Sequence, residues 1–223
     1  MEMKNMQKLG GLAALYLAAA YIATIVIFLF VLDYPNVTDS IQKVALLADQ
    51  TAVMQLSNLL SYVVFGFALV ALLLALHESL KDRSPLLVRF AVAAGIIWAG
   101  SLIASGMVSN AGMAPVLALY QTDPAQAAIM WSMIESVANG LGGANGEILG
   151  GVMTLLVGIA VLRSSGFSKW AGWLGALVGA LGIASIIPVL SNLCVLFGLT
   201  QAIWFVWMGI LLLRQKKLKP TAA

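Results

Sequence analysis

Two carboxylates and four amides are the side chains best suited to do chemistry in this chain. Glu147 opens an apolar segment directly behind the Gly-rich run 141–146, and Asn145 lies just before it. A charge inside a bilayer is costly, and such residues mark ligand or ion pathways. A helix entry broken by glycines offers a substrate both unwound backbone and a helix end. The same position also suits a carboxylate that only starts a helix in contact with water, because the helix dipole favours negative charge there. Glu135 precedes Asn139 by one helical turn on the same face. With that face turned inward, Glu135, Asn139, Asn145 and Glu147 line a polar cup; with it turned outward, Glu135 faces water, as charges on amphipathic helices do. Asn58 and Gln201 fall inside apolar segments, where an unpaired amide is expensive. Either they bond to neighbouring helices, or they gather with Glu147 around a cavity.

Other chemistries find no support. There is no GxSxG, HExxH, Walker loop or dinucleotide fingerprint, so no catalytic residue is assigned and no enzyme is expected. Cys194 is the single cysteine and His77 the single histidine, which excludes an intrachain disulfide, a cysteine-rich metal site and a bis-histidine haem. No metal and no cofactor is expected. No lysine lies within an apolar segment, which excludes a retinal Schiff base, and no ladder of arginines suggests voltage sensing. The basic residues are not interleaved with stacking aromatics, so nucleic acid is not an expected partner.

The elements that position these residues follow from composition. The 223 residues are 61% apolar and 9% charged, with a mean hydropathy of +0.99 and a pI near 9.1. Soluble domains carry about 25% charged residues, so the lipid bilayer is the expected surrounding. A span needs about 20 mostly apolar residues. Five segments meet that length, Leu9–Leu32, Ala52–His77, Leu86–Val108, Trp170–Val189 and Asn192–Leu213, and a shorter sixth is Glu147–Leu162. The first is read as a retained span, since its apolar run exceeds the h-region of a signal peptide, about 7–15 residues. Asp123, Pro124 and Gln126 carry the spacing of a helix start, which predicts an outer interfacial helix over 124–139 with Trp131 at headgroup depth. A second short helix is expected over Ile41–Leu47, lying on the outer surface.

Orientation comes from the charges. Eleven of the 12 Lys and Arg residues cluster at Lys4–Lys8, Lys81–Arg89, Arg163–Lys169 and Arg214–Lys219, while the alternate gaps hold only Lys43 against six carboxylates. Basic loops stay cytoplasmic. The expected fold is therefore one all-α membrane domain over 1–223, a six-span bundle with both termini cytoplasmic. Small residues carry helix packing in lipid, and Gly172, Gly175, Gly179 and Gly182 share one face of the fifth span.

Three stretches carry a resemblance to a known family. They are Ala71-Leu-Leu-Leu-Ala-Leu-His-Glu-Ser-Leu80, Arg163-Ser-Ser-Gly-Phe-Ser-Lys-Trp-Ala-Gly-Trp-Leu-Gly175 and Gln201-Ala-Ile-Trp-Phe-Val-Trp-Met-Gly-Ile210. In layout the chain resembles the bacterial integral membrane proteins grouped as domain of unknown function 4386. The resemblance implies six spans and a bacterial cytoplasmic (inner) membrane, and it supplies no catalytic or binding residue. Two functions remain open. One is small-molecule binding or transport at an outward-facing site built from Glu135, Asn139, Asn145 and Glu147. The other is a non-catalytic subunit docking on a membrane protein partner, or on its own copy, through Gly- and Ala-rich helix faces.

Overall fold

Within lipid a helix satisfies its own backbone N–H and C=O groups without water. The computed structural model describes residues 3–142 and 147–214, and these are all-α with no strand. Helix α1 (Met3–Val26) runs into a π-helical turn, Ile27–Val31. It stops where Asp33 takes a left-handed backbone (φ 48°), a conformation that Asp tolerates better than most residues. Asp33 Oδ1 also accepts a 2.7 Å bond from Asn36 Nδ2. Helix α2 (Ser40–Asp49) is capped by Asp39, whose Oδ1 accepts from Gln42 N at 2.8 Å. The second apolar segment is α3 (Thr51–Asn58), a π-helical stretch Leu59–Val64 and α4 (Phe65–Leu80).

Helix α5 (Pro85–Tyr120) is 36 residues long, well past the expected span end at 108. At 1.5 Å per residue it measures about 54 Å, against a hydrocarbon core of roughly 30 Å. Helix α6 (Pro124–Gly142) begins as the sequence predicts, with Asp123 Oδ1 accepting from Gln126 N at 3.0 Å. Helices α7 (Glu147–Arg163), α8 (Lys169–Ala184) and α9 (Leu193–Arg214) complete the chain. The expected fifth span, 170–189, ends early, because Pro188 drives its predecessor Ile187 to an extended ψ of 121°. Five stretches are long and apolar enough to cross a membrane: Asn5–Val31, Thr51–Leu80, Pro85–Tyr120, Pro124–Arg163 and Leu193–Arg214. Lys169–Ala184 is a shorter apolar helix.

The chain divides into two units. Unit 1 is Met1–Ala19, Ala68–Ile97 and Ile148–Ala223; unit 2 is Ala20–Phe67 and Trp98–Glu147. In unit 1 the glycines work as packing residues inside the chain. A Cβ on Gly158 would lie 2.6 Å from Ala176 N and 2.8 Å from Gly172 O, so α7 and α8 touch backbone to backbone. Gly175 packs on the Trp204 indole, whose Nε1 donates to Ala171 O at 3.2 Å. Unit 2 has its own apolar core of Leu32, Val44, Leu47, Met54, Met113, Val116, Ala127, Ala128 and Trp131. Helix α2 thus buries Val44 and Leu47 completely; it is a packed element of this core as well as a surface helix.

Candidate functional site

The polar side chains of unit 2 form two groups. The first is a clasp over its core. The left-handed turn at Asp33 delivers Tyr34, α2 delivers Lys43, and α6 delivers Trp131 and Glu135. Tyr34 donates its hydroxyl to Glu135 Oε1 at 2.7 Å and accepts from Trp131 Nε1 at 3.0 Å. Lys43 Nζ pairs with Glu135 Oε2 at 3.3 Å and stands 4.9 Å from the centre of the Tyr34 ring. Glu135, expected either in a cup or facing water, is held in this ion pair instead, about one quarter exposed (24%). Trp131 is buried at 4% exposure, which places it in a protein core. Sequence reasoning missed Lys43 and Tyr34 as partners, although a single base in a run of carboxylates is itself a signal of pairing.

Burial pushes the Tyr34 phenol above its usual value of 10.0; the Trp131 bond pulls it down and the Glu135 charge pushes it up. A group whose protonated form folding favours gives stability below its unfolded value, and loses it as pH rises through the folded one. The Tyr34 contribution to the clasp is therefore fully present below pH 10.0 and is lost as pH rises above it. Tyrosinate absorbance, taken as wild type minus Tyr34→Phe, should show the Tyr34 step above 10.0 together with faster amide exchange in α2. A step at or below the usual value breaks this assignment.

The second group lies along the inner helices of unit 2. Asn58 is buried and donates through Nδ2 to Asn110 Oδ1 at 3.1 Å, and Asn110 Nδ2 donates to Gln55 O at 3.1 Å. The Asn58 amide is therefore bonded to a neighbouring helix. Thr24 Oγ1 lies 2.7 Å from Ala20 O and 2.6 Å from Ser61 Oγ. With one proton per hydroxyl, Thr24 donates to the carbonyl and Ser61 to Thr24. Ser105 Oγ donates to Ala138 O at 2.8 Å.

Close backbone approach sets this geometry. A Cβ on Gly106 would sit 2.7 Å from Tyr62 Cβ and 3.0 Å from Asn58 O, so the π-helical stretch lies directly against α5. Gly66 packs likewise on Ala99 O and Ile103. These approaches bring Phe65 to Trp98 in an edge-to-face contact at 6.1 Å, and Tyr21 meets Phe65 edge to face at 5.4 Å. π-Helical turns inside α-helices recur at functional sites, and here one holds Ser61 and Tyr62.

Glu147 closes unit 2. Its Oε2 is shielded from solvent and has no hydrogen-bond partner among the described residues. Asn139 is exposed on α6, and Asn145 lies outside the described residues. Gln201 belongs to unit 1, where it is fully buried and its Oε1 accepts from Thr154 Oγ1 at 2.9 Å. A groove of about 800 Å³ runs between the start of α2 and α6, lined by Ile41, Ile129, Met133 and Val137 among others. Ser132 and Ser136 on its wall donate to Ala128 O and Ser132 O, leaving it apolar. Among the described residues no group of three His, Cys, Asp or Glu could hold a metal ion.

A family model described as Domain of unknown function (DUF4386) covers residues 12–215. No curated protein and no solved structure matches.

Proposed function

The chain belongs to the family described as Domain of unknown function (DUF4386), and from that premise we propose a multi-pass membrane protein that binds or transports a small molecule through the polar interior of unit 2. The observation that carries this reading is the shielded, unpartnered Oε2 of Glu147. A buried polar group left unsatisfied costs about 1–3 kcal/mol, more when charged, and a ligand that bonds to it recovers that cost. Tyr21, Tyr62 and the Asn58–Asn110 pair lie in the same unit and supply further donors and acceptors. We read six passes, with Lys169–Ala184 as the shortest, both termini cytoplasmic and a bacterial cytoplasmic membrane as the location. The placement of eleven of the 12 basic residues supports that orientation. The alternative, a docking subunit, rests on Gly- and Ala-rich helix faces, and on α8 Gly172, Gly175 and Gly179 are packed within the chain.

The test is a thermal-unfolding screen of the purified full chain against small molecules of mixed charge. At least one class should stabilise the wild type saturably, and Glu147→Gln should weaken its binding roughly tenfold to hundredfold, the worth of a hydrogen bond to a charged group. Were every ligand to bind Glu147→Gln as it binds the wild type, Glu147 would be only a helix-starting residue.

A further inference from the structure

We propose that the turn between α8 and α9 is a lipid-contact element, with Ile186, Ile187, Val189 and Leu190 set among the acyl chains of the outer leaflet rather than in water. This rests on the reading of Lys169–Ala184 as one of six passes, and adds how that pass is completed and what covers its tip.

Length, exposure, charge and backbone bonding all agree. Helix α8 has 16 residues, about 24 Å at 1.5 Å per residue, against a hydrocarbon core of roughly 30 Å. Its start is fixed, because Lys169 Nζ donates to Ser164 O at 2.8 Å and to Leu162 O at the end of α7. The helix alone therefore stops short of the outer boundary, and the residues after Ala184 complete the crossing. Those residues are bare: Ile186, Ile187, Val189 and Leu190 are all exposed, Val189 at 85%. They are also uncharged. From 170 to 213 the sequence has no Asp, Glu, Lys, Arg or His, whereas the α4–α5 connection carries Lys81, Asp82 and Arg83, and Arg163 and Lys169 flank the α7–α8 connection. A charge is costly in lipid, and four large apolar side chains are costly in water. In lipid, backbone groups must be bonded within the chain. Ile187 N donates to Ala184 O at 3.1 Å, Leu190 N to Ile187 O at 2.8 Å, Ser191 N to Pro188 O at 3.3 Å and Cys194 N to Ser191 O at 3.0 Å. Pro188 has no N–H to satisfy, and Ser185 Oγ donates to Gly182 O at 2.7 Å. Ser191 and Asn192 are the exposed polar residues of the turn, and their reach to the headgroups sets its depth at the boundary of the acyl chains.

The experiment uses the full chain with Cys194→Ser and one added cysteine: Val189→Cys in the turn, Gln121→Cys in the α5–α6 connection or Asp82→Cys in the α4–α5 connection. All three positions are exposed. In intact cells a membrane-impermeant maleimide reads topology: Gln121→Cys should react from outside and Asp82→Cys only after lysis. Each purified variant then receives a fluorescent maleimide and is reconstituted in phosphatidylcholine vesicles, with iodide on both faces or with nitroxide-bearing acyl chains. The nitroxide lipids should quench the Val189→Cys label. Iodide should quench it roughly tenfold less than the Gln121→Cys label, because desolvating an ion is costly. Equal iodide quenching at the two positions would place the turn in water and overturn the proposal. Quenching by neither agent would mean that a partner protein or a second copy covers the turn, and would overturn lipid as its occupant. Reaction of Asp82→Cys from outside, or of Gln121→Cys only after lysis, would overturn the six-pass orientation and the outer leaflet with it, while the quenching still reads the depth of the turn. Ile187→Cys gives a second position on the same turn if Val189→Cys does not fold, and the same result is expected there.

Discussion

Gly179→Leu should lower the unfolding midpoint of the purified chain by on the order of 10 °C, while Gly100→Leu should leave it unchanged. A Cβ on Gly179 would lie 2.5 Å from both Leu155 N and Leu155 Cβ and 2.6 Å from Gly151 O. Two of these atoms are backbone, so no side-chain rotation relieves the clash. The partner surface is equally closed, since a Cβ on Gly151 would lie 2.8 Å from Ile183 N and 2.9 Å from Gly179 O. Overpacking costs about 1–3 kcal/mol, occasionally more. Leucine here forces two helix backbones apart, and lipid supplies no hydrophobic drive to press them together again. A loss near the top of that range corresponds to roughly 2–4 °C per kcal/mol for a chain of this size. Gly100 is the control, because nothing lies within 4 Å of its Cβ position. If both variants unfold at the wild-type temperature, the α7–α8 contact does not hold unit 1 together.

Trp131→Ala should open the unit 2 core locally. The indole is 4% exposed, packed in the cluster that includes Val44, Leu47, Met113 and Val116, and its Nε1 donates to Tyr34. Truncating a buried Trp costs about 3–5 kcal/mol. Tyr34 loses a donor at the same time, and Tyr34 and Lys43 lose the packing that holds them on Glu135. Amide exchange in α2 should accelerate by roughly a hundredfold or more, with α8 and α9 unchanged. Trp131→Phe keeps an aromatic ring in the core while losing the indole donor and two ring carbons, and should cost less than Trp131→Ala. Equal acceleration in α8 and α9 would mean that this core does not open on its own.

Much of the helix layout was legible because it rests on local chemistry. The start of α6 is written in Asp123, Pro124 and Gln126, and the structure uses the Asp123 carboxylate as a cap. The end of α8 was read too far. Hydropathy carries the apolar run to 189, but Pro188 forces Ile187 out of the helix, and the proline was the better guide. What stayed hidden depends on contacts between distant residues. Asn110 looks like the end of an apolar run, yet α5 continues through it, with the amide bonded to Asn58 and Gln55. The π-helical stretches at Ile27–Val31 and Leu59–Val64 change the period by one residue over a single turn, too briefly to mark a pattern. At the site, Glu147 was legible as a charge at the start of a helix, whereas Tyr21, Phe65 and Trp98 come together only where Gly66 and Gly106 let helices meet.

The Lys43–Glu135 pair joins residues 92 positions apart, and this separation sets a timetable for biogenesis. Ribosomes add about 5–20 residues per second, so Lys43 is made roughly 5 to 18 seconds before Glu135. Throughout that interval Val44 and Leu47, fully buried in the finished protein, have no α6 to cover them. The newborn segment must shelter against the membrane surface or the insertion machinery until its partner helix arrives.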